Sequence, residues 1–347
     1  MRIGILTLPV KTNYGGILQA YAFQTVLESM GNEVLVINRE YNVNSSKKTI
    51  QSKICEFLEN HYYFFNTRKF IKQNINCTSG LNSNEQLEKC LKTYNLDTII
   101  VGSDQVWRPE YSPNINNYFL DFAEPYNIKR IAYAASFGVD YWQFSEKETQ
   151  LCSHLAQKFD AIGVREQSGL GLCEDYLGVK AEFVLDPTIL LNKEKYHELA
   201  SNKKGTSTGS LFCYILDMTA KKSEFIKSIS DVTKTRPLIY SPHTRMVLWS
   251  IGKWLRAFID AKMIITDSFH GMVFSIIFNK PFWVIGNESR GMTRFHSLLS
   301  YLKLEERLVK INDTKKITPT HIDWDAVNNL LEIMRNYSTD FIIKSLY

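Results

Sequence analysis

The segment Thr266-Asp267-Ser268-Phe269-His270-Gly271 has the residue types of an acid–base or anion-binding site. It lies between two apolar runs, which predicts a strand that ends here and a helix that begins here. Asp267 or Ser268 can cap that helix. His270 then lies in its first turn, where the helix dipole favours a neutral imidazole and a bound anion. The alternative is a capping serine followed by a core histidine.

Two other segments combine a charged group with a predicted strand end. Arg165 follows a short apolar run, and a guanidinium binds a planar carboxylate through two parallel hydrogen bonds. The alternative is an ion pair with Glu166. Asp104 can act as a general base toward a hydroxyl, or bind sugar hydroxyls while Trp107 stacks on the ring. The alternative for Asp104 is helix capping.

Weaker signals come from a loop and from an arginine pair. The loop Asn13-Tyr14-Gly15-Gly16 lies between a strand and a helix, where backbone N–H groups can meet an anion. It lacks the spacing of a nucleotide-binding loop, so a plain tight turn is the alternative. Arg290 and Arg294, four residues apart, can pair with a phosphate or be solvated at the surface.

The elements that must position these residues alternate between β-branched runs and helical patterns, which is typical of parallel sheets covered by helices. A polar linker at 201–209 separates two such series. We predict an α/β fold of two Rossmann-like domains, 1–200 and 210–322, with mostly parallel sheets that face a central cleft. A C-terminal helix in 323–347 is expected to pack back across the domains. Ligands bind beyond the carboxyl ends of such strands. The residues that follow those ends are Asn13 to Gly16, Ser103 to Gln105, Ser136 to Gly138, Arg165, Asp186, and Asp267 to His270.

Composition excludes several classes of protein. A chain of 347 residues suggests roughly two domains of about 150 residues. With 44% hydrophobic and 22% charged residues it is typical of a globular protein. A net charge of +5, evenly spread, does not favour nucleic acid as partner. The six cysteines lack metal or redox spacing, and no signal peptide or membrane span is evident. We expect reduced thiols and a cytoplasmic location.

One stretch mixes aromatic and basic residues. Residues 53–72 contain tyrosines and phenylalanines beside lysines and an arginine, as helices at a membrane surface do. This predicts a peripheral contact with the cytoplasmic membrane face. The alternative is core packing, with the lysine side chains reaching solvent.

Taken together and in order, these segments resemble the polysaccharide pyruvyl transferase family. The resemblance rests on the following stretches between residue 1 and about residue 300: Ile3 to Thr7, Asn13 to Gly16, Gln19 to Tyr21, Gly102 to Trp107, Ser136 to Gly138, Val164 to Glu166, Val184 to Thr188, and Thr266 to Gly271. It implies a GT-B-like fold. It also implies transfer of the enolpyruvyl carbons of phosphoenolpyruvate to a sugar diol as a cyclic ketal, with release of phosphate.

The resemblance places Arg165 and His270 at the functional arginine and histidine positions of the family. Arg165 would bind the donor carboxylate, and His270 would hold the phosphate or transfer a proton. Asp104 and Asp267 are expected to accept hydroxyl protons. Ser136, Ser268, Trp107 and the loop from Asn13 to Gly16 are expected to bind substrate. Some branches have an arginine just before the histidine, where this chain has Phe269, so Arg290 and Arg294 become candidates for the phosphate. No metal or cofactor is implied.

The expected activity is that of a ketal pyruvyltransferase in capsule, exopolysaccharide or cell-wall glycan assembly. Its acceptor would be galactose or a related hexose on a lipid-linked precursor. Two alternatives stay open at the level of sequence. One is a nucleotide-sugar glycosyltransferase of the same architecture. The other is a saccharide-binding assembly protein without catalytic activity.

Overall fold

The computed structural model describes residues 1–11, 13–41, 63–201, 211–242, 247–310 and 321–347. These residues form two compact units. The first unit comprises the described parts of Met1–Cys55, Arg68–Leu191 and Ile333–Tyr347. The second comprises the described parts of Glu56–Thr67 and Asn192–Glu332.

The first unit contains a six-stranded sheet in which all strand pairs are parallel. Its strand order is β2-β1-β3-β4-β5-β6. The strands are β1 (Arg2–Thr7), β2 (Glu33–Asn38), β3 (Thr98–Val101), β4 (Lys129–Ala135), β5 (Ala161–Val164) and β6 (Glu182–Phe183). Central strands such as β3 are buried on both faces, which explains their continuous apolar sequences.

Helical segments connect these strands as the parallel arrangement requires, and those between β3 and β4 are short 3-10 helices. The α-helices are α1 (Tyr14–Ser29), α2 (Phe65–Asn74), α3 (Asn84–Tyr94), α4 (Glu146–Ala156), α5 (Ser168–Leu172) and, after β6, α6 (Pro187–Leu190). Asn13 caps α1 by accepting a hydrogen bond from the backbone N–H of Gly15 at 3.0 Å. A π-helical turn, Cys173–Leu177, follows α5 directly.

The second unit contains a five-stranded parallel sheet in the order β11-β10-β9-β7-β8. The strands are β7 (Leu211–Tyr214), β8 (Pro237–Tyr240), β9 (Met263–Thr266), β10 (Phe282–Ile285) and β11 (Leu308–Val309). The helices are α7 (Lys193–Ser201), α8 (Ala220–Thr233), α9 (Ile251–Asp260), α10 (Phe269–Ile277) and α11 (Thr293–Tyr301).

The last helix, α12 (Trp324–Leu346), contributes residues to both units. From Ile333 onward it belongs to the first unit, where Ser338 Oγ accepts a hydrogen bond from the backbone N–H of Leu185 at 3.0 Å. Its Phe341 ring lies 6.1 Å from that of Tyr133 on β4. The end of the chain therefore completes the core of the unit that begins it.

The predicted fold class is confirmed: the chain has two Rossmann-like units built on parallel sheets. Two details differ from the sequence reading. The strand predicted to end just before Asp186 has only two residues, Glu182–Phe183, because Asp186 and Pro187 start α6. The short edge strand β11 was not predicted, since two residues carry no periodic signal.

Two predicted segments fall wholly or partly outside the described residues. They are most of the linker at 201–209 and residues 53–62 of the aromatic–basic stretch. Over the described part of the chain, no helix is both long enough and apolar enough to cross a membrane.

Candidate functional site

Four neighbouring strands of the first sheet deliver polar residues to the same edge. The strands β1, β3, β4 and β5 lie side by side. Asn13 to Gly16 follow β1, Ser103 to Gln105 follow β3, Ser136 to Gly138 follow β4, and Arg165 follows β5. The parallel topology thus collects residues from distant parts of the sequence at the carboxyl edge, where such folds bind ligands.

Arg165 forms the centre of a buried ion cluster. Its Nη1 lies 2.6 Å from Asp186 Oδ2, and its Nη2 lies 3.6 Å from Asp104 Oδ1. The Arg165 side chain is 1% exposed and that of Asp186 is fully buried. Burial alone would lower the pKa of the guanidinium, but the carboxylates of Asp186, Asp104 and Glu166 outweigh it and raise the pKa. Arg165 therefore stays charged.

Asp186 is the partner that sequence reasoning missed. Gln19 Nε2 donates a hydrogen bond to its Oδ2, and the backbone N–H and hydroxyl of Thr188 donate to its Oδ1 at 3.0 and 2.6 Å. The turn Asp186-Pro187-Thr188 after a predicted strand was the available signal. The sequence identifies Asp186 as a residue at a strand end, but its partner Arg165 is 21 positions away and is not encoded by any local pattern.

Glu166 fixes the turn that follows β4. Its Oε1 accepts hydrogen bonds from the backbone N–H groups of Phe137 and Gly138 at 2.7 and 3.0 Å. Glu166 is completely buried. The carboxylate thereby ties the carboxyl end of β4 to that of β5. Sequence reasoning had considered Glu166 only as a partner for Arg165.

Several buried acceptor atoms in this region have no hydrogen-bond partner within the described residues. They are Ser103 Oγ, Ser136 Oγ, Gln19 Oε1 and Glu166 Oε2. Three carboxylates, those of Asp186, Asp104 and Glu166, also lie near Arg165. A buried acceptor without a donor is costly, so this edge is suited to a ligand that brings hydroxyl donors.

Asp104 lies beside the first turn of α1. A Cβ atom added to Gly16 would lie 3.4 Å from Asp104 Oδ2. The backbone of Asp104 has φ +73°, in the left-handed region, and its Oδ1 accepts a hydrogen bond from the N–H of Gln105 at 2.9 Å. Non-glycine residues adopt this backbone conformation mainly where the surrounding structure imposes it, often at functional sites.

Trp107 does not offer a platform for a sugar. The residue is fully buried, its ring stacks on Phe119 at 5.0 Å, and its Nε1 donates to the carbonyl of Tyr118 at 3.0 Å. We therefore assign Trp107 to the core, in place of the expected stacking role. Tyr14 is likewise fully buried.

The Asp267 carboxylate is hydrogen-bonded and ion-paired within the second unit. Its carboxylate accepts hydrogen bonds from the N–H groups of Leu216 and Asp217 at 2.6 and 3.1 Å, and Lys222 Nζ lies 2.6 Å from Oδ2. Both members of the ion pair are buried. Three donors joining β7, α8 and β9 indicate a structural role, which we assign in place of the expected acceptance of a hydroxyl proton.

Ser268 and His270 begin α10 as expected. Ser268 Oγ accepts a hydrogen bond from the N–H of Gly271 at 3.3 Å, which makes Ser268 the N-cap. His270 lies in the first turn and is 5% exposed. A Cβ atom added to Gly271 would lie 2.1 Å from Thr266 Oγ1, so only glycine allows α10 to start this close to β9.

The two predicted phosphate-binding arginines have different surroundings. Arg290 binds Asp217 through Nε and Nη2 at 2.6 and 2.9 Å, and this hydrogen bonding lowers the pKa of Asp217 to about 2. Arg294 is buried; its Nη2 donates to the carbonyl of Arg290 at 2.7 Å, and its guanidinium lies 5.3 Å from the centre of the Phe269 ring. A cation thus lies beside the residue that precedes His270.

The structure therefore brings the predicted residues together in two sets. Gly16, Asp104 and Arg165 meet in the first unit, and Ser268, His270, Arg290 and Arg294 surround the start of α10 in the second. Ser136 lies at the same edge as the first set. Among the described residues, no group of three or more His, Cys, Asp or Glu side chains is arranged to hold a metal ion.

Comparisons with solved structures agree with the fold. The UDP-GlcNAc 2-epimerase of Neisseria meningitidis aligns over 100% of this chain and 99% of its own, with a TM-score of 0.53 and 10% identity. The UDP-GlcNAc 2-epimerase of Methanocaldococcus jannaschii aligns over the same shares, with a TM-score of 0.51 and 13% identity. The UGT2 enzyme of Phytolacca americana, solved with UDP-2fluoro-glucose and pterostilbene, aligns over 97% of this chain and 94% of its own, with a TM-score of 0.50 and 9% identity. At such identities the likeness is one of fold.

The sequence itself gives the family. A comparison with curated proteins finds no match. The model of the polysaccharide pyruvyl transferase family, in contrast, matches residues 13–289, which is most of the chain and includes both sets of site residues except Arg290 and Arg294. The chain belongs to the polysaccharide pyruvyl transferase family.

Proposed function

We propose that this protein transfers the enolpyruvyl carbons of phosphoenolpyruvate to two hydroxyls of a hexose, forming a cyclic ketal and releasing phosphate. The observation that carries the proposal is the family match over residues 13–289. The buried polar cluster at the carboxyl edge of the first sheet supports it, since that cluster combines a charged arginine with several hydrogen-bond acceptors.

The chemistry requires three proton movements. The methylene carbon of the donor gains a proton, and carbon 2 becomes electrophilic. The two acceptor hydroxyls attack this carbon in turn and lose their protons, while the carbon–oxygen bond to phosphate breaks. One of the two hydroxyl protons balances the new methyl group, and the other leaves with the phosphate or the solvent.

Asp104 is the proposed base for an acceptor hydroxyl. Its Oδ1 lies 3.6 Å from Arg165 Nη2, which is longer than a hydrogen bond, so the pair is held by charge rather than by a direct bond. The donor carboxylate is proposed to bind the same guanidinium before the attack. When Asp104 then accepts the hydroxyl proton it loses its charge, which removes the repulsion between the two carboxylates beside Arg165. Asp186, at 2.6 Å from Nη1, holds the guanidinium in position throughout.

His270 is the proposed anion-binding or proton-transferring residue of the second unit. It lies in the first turn of α10, where backbone N–H groups and the helix dipole favour negative charge. Arg294 adds positive charge next to Phe269. This arrangement supports His270 and Arg294 as the groups for the departing phosphate, with Arg290 tied to Asp217.

The acceptor and the location are also part of the proposal. We propose a galactose-type hexose on a lipid-linked precursor of capsule, exopolysaccharide or cell-wall glycan, modified in the cytoplasm at the membrane face. The five cysteines of the described ranges are free thiols, which supports a reducing compartment.

The test is direct. Purified protein is incubated with phosphoenolpyruvate and a panel of galactosides, and we expect release of phosphate and a product with the mass of the pyruvyl ketal. His270→Asn should reduce turnover by about a hundredfold or more. The control His154→Asn, at an exposed position of α4, should leave it unchanged. Absence of turnover with every saccharide tested would count against the proposal. Stabilisation by UDP sugars but not by phosphoenolpyruvate would favour a glycosyltransferase.

A further inference from the structure

A stack of three aromatic rings in the first unit joins the loop that follows β4 to the π-helical turn that follows α5. Trp142 stacks on Tyr176 with ring centroids 4.6 Å apart and planes 3° apart, and on Phe144 at 4.3 Å and 14°. Phe144 is buried, whereas Tyr176 at the other end is 43% exposed. We call Phe144, Trp142 and Tyr176 the aromatic stack.

The aromatic stack is held rigidly. Trp142 Nε1 donates a hydrogen bond to Thr149 Oγ1 of α4 at 2.7 Å. Helix α4 itself begins with reciprocal hydrogen bonds between Ser145 and Glu148. A ring whose position is already fixed binds a ligand with little further loss of conformational entropy.

A further exposed tyrosine lies in the same loop. Tyr141 is 59% exposed, and its hydroxyl accepts a hydrogen bond from Gln143 Nε2 at 3.3 Å. Tyrosine offers an apolar ring together with a polar tip, a combination that suits ligands with both apolar and hydroxylated surfaces.

The aromatic stack is continuous with the candidate site. The Trp142 ring lies 5.8 Å from that of Phe137. The backbone N–H of Phe137 is bonded to Glu166, the residue that follows Arg165. These two centroid distances place Tyr176 within the length of a short oligosaccharide from the turn that carries Ser136.

We infer that the aromatic stack, with Tyr141, binds a neighbouring sugar ring of the acceptor, so that the enzyme prefers an oligosaccharide to a single sugar. This inference rests on the proposed function, because family membership implies a saccharide acceptor. A sugar ring presents C–H groups that pack on an aromatic face and hydroxyls that bond to a tyrosine tip. The anionic donor is disfavoured there, since the face of an aromatic ring is negative.

The kinetic test compares a single sugar with an oligosaccharide. In the wild type and in Tyr176→Ala, phosphate release is measured with methyl galactoside and with galactotriose. We expect the variant to raise KM for galactotriose about fivefold and to leave KM for methyl galactoside and for phosphoenolpyruvate unchanged. Tyr176→Phe, which keeps the ring, should behave nearly as the wild type. Tyr94→Ala on α3, at a tyrosine that is 46% exposed, is the control for loss of an exposed ring.

The inference is overturned by an unchanged KM for galactotriose, or by an equal loss with both acceptors, which would indicate a structural disturbance instead. A binding assay without donor separates this inference from the proposed function. By saturation-transfer NMR, the wild type should bind at least one of galactotriose, mannotriose, cellotriose and chitotriose, and Tyr176→Ala should bind it about fivefold more weakly. Binding of none by the wild type overturns the inference. Binding as expected without turnover of any acceptor refutes the proposed function alone.

Discussion

The ion pair between Arg165 and Asp186 should be essential to the stability of the first unit. The two side chains are 1% and 0% exposed and lie 2.6 Å apart. Arg165→Met removes the positive charge of the pair and leaves the buried Asp186 carboxylate without the counter-charge of Arg165. Removing one member of a buried pair costs about 3–5 kcal/mol. For a unit of 150–250 residues, this lowers Tm by roughly 6–20 °C.

Substituting Asp186, the other member of the pair, should lower the free energy of unfolding by less. In Asp186→Asn, the amide oxygen can still accept the two hydrogen bonds from Thr188, and Arg165 keeps Asp104 as a nearby counter-charge. We expect a loss of about 1–3 kcal/mol. The double variant carries neither charge, so it should be more stable than the sum of the two single losses implies, by about 2 kcal/mol.

The assay is thermal unfolding of the four proteins, followed by fluorescence. The reasoning is refuted if the single effects add within about 0.5 kcal/mol, or if Arg165→Met shifts Tm by less than about 2 °C. The result also bears on activity measurements. If the coupling is confirmed, loss of turnover in an Arg165 variant reports on catalysis only when Asp186 is changed with it or when folding is shown to be intact.

Three further predictions follow from the local geometry. Gly271→Ala should destabilise the protein by more than about 2 kcal/mol in thermal unfolding, because its Cβ would collide with Thr266, whereas Gly171→Ala, which meets no atom closer than 4.0 Å, should be neutral. Arg290→Ala should have a lower Tm than the wild type near pH 5, and the difference in Tm between the two proteins should disappear as the pH falls toward 2. Asp217 has a lowered folded-state pKa of about 2, so its contribution is present above its ordinary pKa of 3.8 and is lost below about 2; a difference that does not change with pH would contradict this. Iodoacetamide at neutral pH should label the native protein slowly, as read by peptide mapping, at the following positions, whose thiol pKa burial raises to about 11 or 12: Cys77, Cys90, Cys152, Cys173 and Cys213. Rapid labelling there would show that these thiols are accessible.

The features that depend on local sequence pattern, namely the parallel sheets, their ligand-binding edge and the helix caps, could be predicted. Parallel sheets follow from alternating apolar runs and helices, and the polar residues that end each run point to the ligand-binding edge. The capping of α10 by Ser268 could also be predicted, since a serine before an apolar helix is a local signal. The start of α1 at Asn13 follows the same rule.

The partners of the buried charges could not be predicted. Lys222 reads as a surface lysine of an amphipathic helix, yet it is buried against Asp267, 45 positions away. Asp217 and Arg290 are separated by 73 positions. Such pairs are set by which strands become neighbours in the sheet, and no local periodicity encodes that choice. The burial of Trp107 could not be predicted either, because its stacking partner Phe119 comes from a short 3-10 helix, Ile115–Phe119, which carries no periodic pattern.

The return of α12 to the first unit has a consequence for the order in which the protein is made. Phe341 packs near Tyr133 on β4, Ser338 receives a hydrogen bond from Leu185, and Arg335 donates to the carbonyl of Ile189. None of these contacts exists until residues 333–347 have left the ribosome. Most of the first unit is therefore translated first, but its last helix is added after the second unit has been synthesised. Until then, the apolar surface that α12 covers stays exposed.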